Sequence, residues 1–431
     1  MTTLAEATAL ERTTMRKIRL RILPFVSLLY FTAFLDRANV AYGRLTMAPD
    51  LGFSEWVFGL GAGLFFLGYV LLEIPGALIV QKYGARRWTT RILVTWGICT
   101  ICLGFIHTAR QFYMGRFILG AAEAGFFPGM IVYLTCWVPS RYRASAIATM
   151  VIASPVALAL GGPIASTLLQ IRWFGLAGWR WLSILEGVPA IALGIVTWFF
   201  LTDRPEAANW LTADEQNWLE ADLKTEQSTK AAHRIAWLQT LRSPVVTALC
   251  AIIFLANVGI QGFFLWLPVT VQRASGMSVP MTALVSGLPF LVAVASVVLF
   301  SWSSDKTNKR LPHIYVPLIL AGLIFPLTAI RGLGTASLLL LLCASAAAIY
   351  AFGPSFYILP TLIFGDAAAA AAIGLINIFA GLGGFAGPSM VGWILDAGHP
   401  FSFAVIALSL SFFLAGALTF SIRHQWSGIP A

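Results

Sequence analysis

Six charged side chains stand where the chain is otherwise apolar: Asp36, Arg37, Glu73, Arg116, Glu123 and Glu186. An ionised group at the centre of a bilayer-spanning helix costs roughly 2.5–3.5 kcal/mol on insertion scales, so such groups pair or act on an ion or solute. At a rise of about 1.5 Å per residue, Asp36 and Arg37 on an ascending helix come level with Arg116 on a descending one. That predicts a cross-helix pair between Asp36 and Arg116. Glu123, seven positions after Arg116, lies two turns deeper on the same face. Arg37, next to Asp36, must point elsewhere. With both carboxylates ionised the four charges cancel; with both protonated, two arginines remain uncompensated and can take an anion. Arginine suits this because its planar fork meets a carboxylate two-to-two and keeps its proton. The arithmetic makes Asp36 and Glu123 proton-coupling candidates and Arg37 and Arg116 anion ligands. The alternative is a buried charge network that only fixes helix packing. Glu73, before Pro75, is expected to brace the turn after its helix, and Glu186 to satisfy a neighbouring backbone group or arginine.

Helices across a bilayer must position these residues. Hydrophobic residues make up 58% of the 431, charged residues 11%, and the mean hydropathy is +0.82. A soluble domain cannot expose such a composition to water. Apolar runs predict twelve spans, at 22–42, 57–80, 88–107, 111–136, 145–170 and 178–201, then 244–271, 281–302, 312–330, 335–360, 367–394 and 400–421. The fold expected is all-α and membrane-integral, in two six-helix pseudo-repeat halves. Its units are an N-terminal tail (1–21), a first bundle (22–201), a linker with an amphipathic helix (202–243), a second bundle (244–422) and a C-terminal tail (423–431). The tail has no apolar core or cleavage site of a signal peptide, so the first span is retained. Of the 28 Lys and Arg, twenty fall on the side of the termini, and Arg44, Arg110, Arg172, Arg180, Arg273 and Arg331 on the other. Both termini are therefore expected in the cytoplasm, with the protein in the inner (plasma) membrane. The same asymmetry accounts for the net charge of +10 without a nucleic-acid partner.

A repeat runs through the chain. The basic turn Gln81-Lys82-Tyr83-Gly84-Ala85-Arg86-Arg87 has a counterpart 224 positions later in Asp305-Lys306-Thr307-Asn308-Lys309-Arg310, and Gly162-Pro163 has one 225 later in Gly387-Pro388. Internal repeats of this kind mark secondary transporters, whose halves rock about a midplane site. Glu73, Lys82, Arg86, Arg87, Asp305, Lys306 and Arg310 are accordingly conformational or gating candidates. The repeat offset carries Asp36 onto Gln261, with Asn257 one turn before it; these, Asn377 and the Tyr69 hydroxyl are candidate substrate contacts. In the linker, Thr212-x-x-Glu215 ahead of Trp218, Leu219 and Leu223 reads as a capped amphipathic surface helix. Cys99, Cys102, Cys136, Cys250 and Cys343 all fall in spans and read as small apolar residues. The five histidines lie at loops or ends. Neither an enzyme, a metal site nor a cofactor is expected.

Phe34-Leu35-Asp36-Arg37-Ala38-Asn39-Val40 resembles the first-helix signature of the anion:cation symporter family within the major facilitator superfamily. Glu73-Ile74-Pro75 with Gly84-Ala85-Arg86-Arg87-Trp88 resembles its second loop signature, and the stretch from Arg116 through Glu123 to Pro128-Gly129 its fourth helix. Gly178-Trp179-Arg180-Trp181 with Leu185-Glu186-Gly187-Val188-Pro189 is similar to its sixth helix. The order of motifs looks most like the bacterial branch that includes tartrate and phthalate permeases. The resemblance implies proton-coupled symport of a small organic anion, a mono- or dicarboxylate, driven by the proton gradient; the protein is expected to work as a monomer. It implies the first-helix Asp and fourth-helix Glu as proton sites and the adjacent Arg as anion ligand. Three positions depart from the pattern: Gln81-Lys82 in place of Asp-Arg, Phe34 in place of Tyr, and Ala380-Gly381 before Leu382-Gly383-Gly384 in place of Asn. The last two remove polar groups from the expected cavity and favour a smaller or more apolar carboxylate over a hydroxylated sugar acid. A proton-driven exporter of drugs or metabolites in the same fold is the alternative, for which Gly162-Pro163 followed by Ile164-Ala165-Ser166 is a partial helix 5 match.

Overall fold

The computed structural model describes residues 4–230, 243–364 and 366–424. Their regular structure is entirely helical. The first half holds α1 (Leu4–Leu51), α2 (Glu55–Tyr83), α3 (Ala85–Leu103), α4 and α5 (Ala109–Glu123, Phe126–Thr135), α6 and α7 (Ser140–Val151, Ala153–Leu168) and α8 (Gly178–Phe200). After α9 (Ala213–Lys230) come α10 (Pro244–Ser275), α11 and α12 (Val279–Val285, Leu288–Thr307), and α13 (Pro312–Ile324). The last are α14 and α15 (Thr335–Ala351, Gly353–Ile363), α16 (Asp366–Asp396) and α17 (Phe401–Ser421). Among the described residues, eleven segments are long and apolar enough to cross a membrane. The remaining expected span is α3, whose Arg86, Arg87 and Arg91 crowd its first two turns. It packs into the bundle through glycines: a Cβ on Gly97 would meet the Gly187 carbonyl of α8 at 2.7 Å. Counting α3 with them gives the twelve expected spans among the described residues, six before and six after α9.

The tail expected at 1–21 is, from Leu4, continuous with span 1. Thr14, Met15, Ile18 and Ile22 recur at helical spacing and are buried, which holds this extension against the first half. The α9 helix starts on the predicted capping box, with Glu215 Oε2 accepting from Thr212 N at 2.8 Å and Thr212 Oγ1 from Glu215 N at 3.3 Å. It docks on the first half through Glu215 to Lys17 (2.7 Å), Asp222 to Arg141 (3.1 Å) and Glu226 to Arg143 (2.7 Å). The linker residues 231–242, His233 among them, and the tail from 425 lie outside the described residues.

Span 4 is broken inside the bilayer. Its entry is fixed by a reciprocal cap between Thr108 and Gln111, and α4 ends at Glu123 because Gly125 takes φ +81°, a left-handed conformation natural to glycine. Span 2 presses on this break, where a Cβ on Gly76 would lie 2.8 Å from Gly125 Cα. The two halves meet through further glycines. Gly59 and Gly63 of α2 face Pro388, Gly392 and Ser389 of α16, and Gly162 of α7 faces Ala283 and Gly287. These contacts lie toward the face opposite the termini, called here the far face. There Arg273 Nη2 of α10 donates to Glu55 Oε1 of α2 at 2.5 Å, and Arg44 of α1 donates to the same carboxylate. Arg44 also lies over Trp266 of the second half, 4.6 Å from its ring centre. The halves are thus closed against each other at the far face.

Candidate solute and proton site

Successive residues on a helix project about 100° apart, so Asp36 and Arg37 enter different spaces. Arg37 Nη2 donates to Glu123 Oε1 at 2.5 Å. Glu123, the last residue of α4, is fully buried, and its Oε2 has no hydrogen-bond partner among the described residues. Phe34, Phe65 and Tyr69 frame the guanidinium at 5.0, 5.5 and 5.1 Å. The Arg37 side chain keeps 22% exposure, so part of it remains open to an incoming group. Arg116 lies over the same Phe65 ring at 4.8 Å. Close helix packing creates this arrangement. A Cβ on Gly68 of α2 would strike the Phe117 backbone, and one on Gly120 of α4 the Phe65 backbone, so only glycine lets α2 bring Phe65 and Tyr69 against α4.

The expected Asp36 to Arg116 ion pair is not formed; the pair that forms is Arg37 to Glu123. The long arginine stem reaches down to the end of α4, whereas the short Asp36 side chain does not reach Arg116. Both oxygens of Asp36 and Nε of Arg116 are buried without a partner among the described residues, and both residues line one small cavity inside the first half. Glu186 does not find the backbone or arginine partner expected of it. Its Oε2 is buried and unpartnered among the described residues, with Asp36 as its electrostatic neighbour.

Glu73 is also placed differently from expectation. One turn after Tyr69, it is buried, with Arg37 as its charged neighbour rather than the following turn. That turn is held by Asp203, whose Oδ1 accepts from Arg86 N at 2.8 Å, while Arg86 lies over Trp198, Lys82 over Tyr83, and Arg87 is exposed. The repeat-related turn is tied within its own half: Arg310 donates to Asp305 at 2.5 Å and to Ser304 Oγ at 2.9 Å, and Lys306 lies over Trp302. Asn257 donates to its own helix at Ile253 O, 3.1 Å. Gln261 and Asn377 are half-buried and make no side-chain hydrogen bond among the described residues. Two residues carry more than the sequence revealed. Arg91 Nη1 reaches the Ala122 carbonyl at 3.4 Å, on the open end of α4 beside Glu123. Glu55 bridges the halves, and its one sequence signal is its place after the helix-capping Ser54.

Residues 26–388 match the Major Facilitator Superfamily. The chain belongs to that superfamily. A protein of Agrobacterium vitis named "Putative tartrate transporter" is 42% identical over 96% of this chain and 94% of its own length. An Acinetobacter baumannii protein named "Quinolone resistance transporter" is 33% identical over 90% of this chain and 89% of its own. A solved D-xylose-proton symporter shares the fold with a TM-score of 0.74 at 17% identity, covering 95% of this chain and 98% of that one. As a Major Facilitator Superfamily member, the protein is a multi-pass membrane transporter and not an enzyme.

Proposed function

We propose that the protein takes up a small organic anion, a mono- or dicarboxylate, by proton-coupled symport through the inner membrane, working as a monomer with both termini in the cytoplasm. The observation that carries this reading is the Arg37 to Glu123 pair, a partly open arginine held by a buried carboxylate at a helix break. Protonation of Glu123 removes its charge and frees the guanidinium fork for a substrate carboxylate. Loss of that proton lets Glu123 reclaim Arg37 and displaces the substrate. Arg116 adds positive field, Tyr69 offers a hydroxyl beside Arg37, and Asn257, Gln261 and Asn377 orient the far end of the substrate from the second half. Closure at the far face corresponds to the state that releases substrate toward the termini. Glu73, Lys82, Arg86, Arg87, Asp305, Lys306 and Arg310 serve the rocking of the halves. The tartrate name of one relative supports the anion. The aromatic frame of Phe34, Phe65 and Tyr69 favours a substrate with few hydroxyls.

The quinolone name of the second relative favours the other reading, proton-driven export of a drug. Proteoliposomes separate the two. Under an imposed proton gradient, the symporter accumulates one member of a carboxylate panel on the side the protons enter. Quinolone movement against the proton flow, with no carboxylate accumulated, would refute symport.

A further inference from the structure

The first half holds a small, partly open cavity of about 30 Å3, and the symport cycle above gives no role to its Asp36. It lies between spans 1, 3, 4 and 6, and its polar lining is Asp36, Asn39, Thr100, Arg116 and Ser183. No second-half residue lines it, and neither does Arg37. Asp36 and Arg116 are 3% and 5% exposed. The Thr100 hydroxyl and the Trp96 indole N–H lie beside the Asp36 carboxyl, but neither meets it in full hydrogen-bond geometry, and Nε of Arg116 is likewise buried without a partner among the described residues. Leaving that many polar groups unpaired in a bilayer-spanning bundle is costly.

We infer that the cavity is a hydration site, in which one or two water molecules bridge Asp36 to Arg116 and give Asp36 its own route for proton exchange, separate from the Arg37–Glu123 pair. A space above roughly 10–15 Å3 with two to four polar partners holds a water. One water donates twice and accepts twice, which matches two carboxylate oxygens, one N–H and one hydroxyl. A metal cation would meet the same oxygens but also the Arg116 guanidinium, whose charge repels it. The charged and titratable groups facing Asp36 are Arg116 and Glu123 of α4, Cys99 of α3 and Glu186 of α8, with Arg37 adjacent on its own helix. The use of this site rests on the proton-coupled reading; its existence does not.

Gly43 offers a mild perturbation, because it lines the cavity and a Cβ there would sit 3.7 Å from Leu182 and 3.9 Å from Asn39, ordinary contact. Gly43→Ala therefore adds a methyl group to the water space without moving backbone. The experiment is infrared difference spectroscopy of the full chain in lipid nanodiscs, in which a pH step protonates the Asp36 carboxylate and the exchange of that carboxyl proton into D2O is followed, with Asp36→Asn assigning the band. Glu123→Gln, which removes a neighbouring negative charge, should exchange no slower than the parent, while Gly43→Ala should be about tenfold slower because exchange then waits on local opening. Thr100→Val, which removes one water partner and adds no bulk, should shift the band frequency. Unchanged exchange in Gly43→Ala would overturn the proposal, as would slowing in Glu123→Gln or a band that responds to replacing choline by sodium. None of these readouts uses transport, so failure of symport in proteoliposomes and failure of the hydration site are separate results.

Discussion

Replacing Arg37 by lysine keeps the charge and removes the fork, which isolates the contribution of geometry to anion binding. In the structure one nitrogen of the guanidinium, Nη2, already serves Glu123, and Nε is buried. A substrate carboxylate that displaces Glu123 meets two parallel N–H donors on arginine and a single point charge on lysine. The ring contacts of Phe34, Phe65 and Tyr69 exist before and after binding, so their weakening largely cancels. What is lost is one charge-assisted hydrogen bond, roughly 1.5–3 kcal/mol. At 1.4 kcal/mol per tenfold, that weakens binding by roughly 10- to 150-fold. The assay is isothermal titration of purified parent and Arg37→Lys with the anion found in the uptake panel, after size-exclusion and thermal-melt checks of the fold. A dissociation constant equal to the parent's within error would refute the two-pronged role and leave Arg37 as packing.

Glu123→Gln fixes the protonated form in shape and charge, so the variant should exchange labelled for unlabelled substrate but not concentrate it under a proton gradient; undiminished accumulation would remove Glu123 from coupling. At the far face, Arg273→Gln should loosen the contact between the halves while leaving Glu55 paired with Arg44. Because Glu55 and Arg273 are 25% and 46% exposed, that pair is worth no more than about 1 kcal/mol, so far-side labelling of a cysteine at Ser389 should rise at most about fivefold. Gly120→Val should abolish folded yield, measured by fluorescence-detected gel filtration, because its side chain would enter the Phe65 backbone. Glu215 gives a pH effect. Burial pushes its carboxyl up, but the Lys17 ammonium and the Thr212 hydrogen bonds outweigh burial and hold it below the usual 4.5. A carboxyl depressed by folding stabilises above its unfolded value, and that stability is lost as pH falls through the folded one. Hydrogen-exchange protection across 213–226, corrected for the intrinsic pH dependence of amide exchange, should therefore be constant above about pH 5 and fall as pH drops below 4.5, and Glu215→Gln should lose this dependence.

The sequence by itself determined the membrane fold, because a span needs only a run of apolar residues of bilayer length, and that is a local property. It also determined which residues carry charge into the bilayer: Asp36, Arg37, Arg116, Glu123, Glu73 and Glu186 each cost too much there to be incidental. The capping box at Thr212 and Glu215 was legible for the same reason, since three residues of one turn decide it. Only the tertiary structure decided who pairs with whom. Helical rise put Asp36 level with Arg116, but pairing depends on side-chain reach and on the approach of α2 to α4 at Gly68 and Gly120. Those distances gave Arg37 to Glu123 and left Asp36 facing a cavity. The turn of Glu73 toward Arg37 and the Glu55 bridge to Arg273 likewise join residues 36 and more than 200 positions apart. Contacts between segments so far apart in sequence are set by how whole helices pack, which no local run of residues encodes.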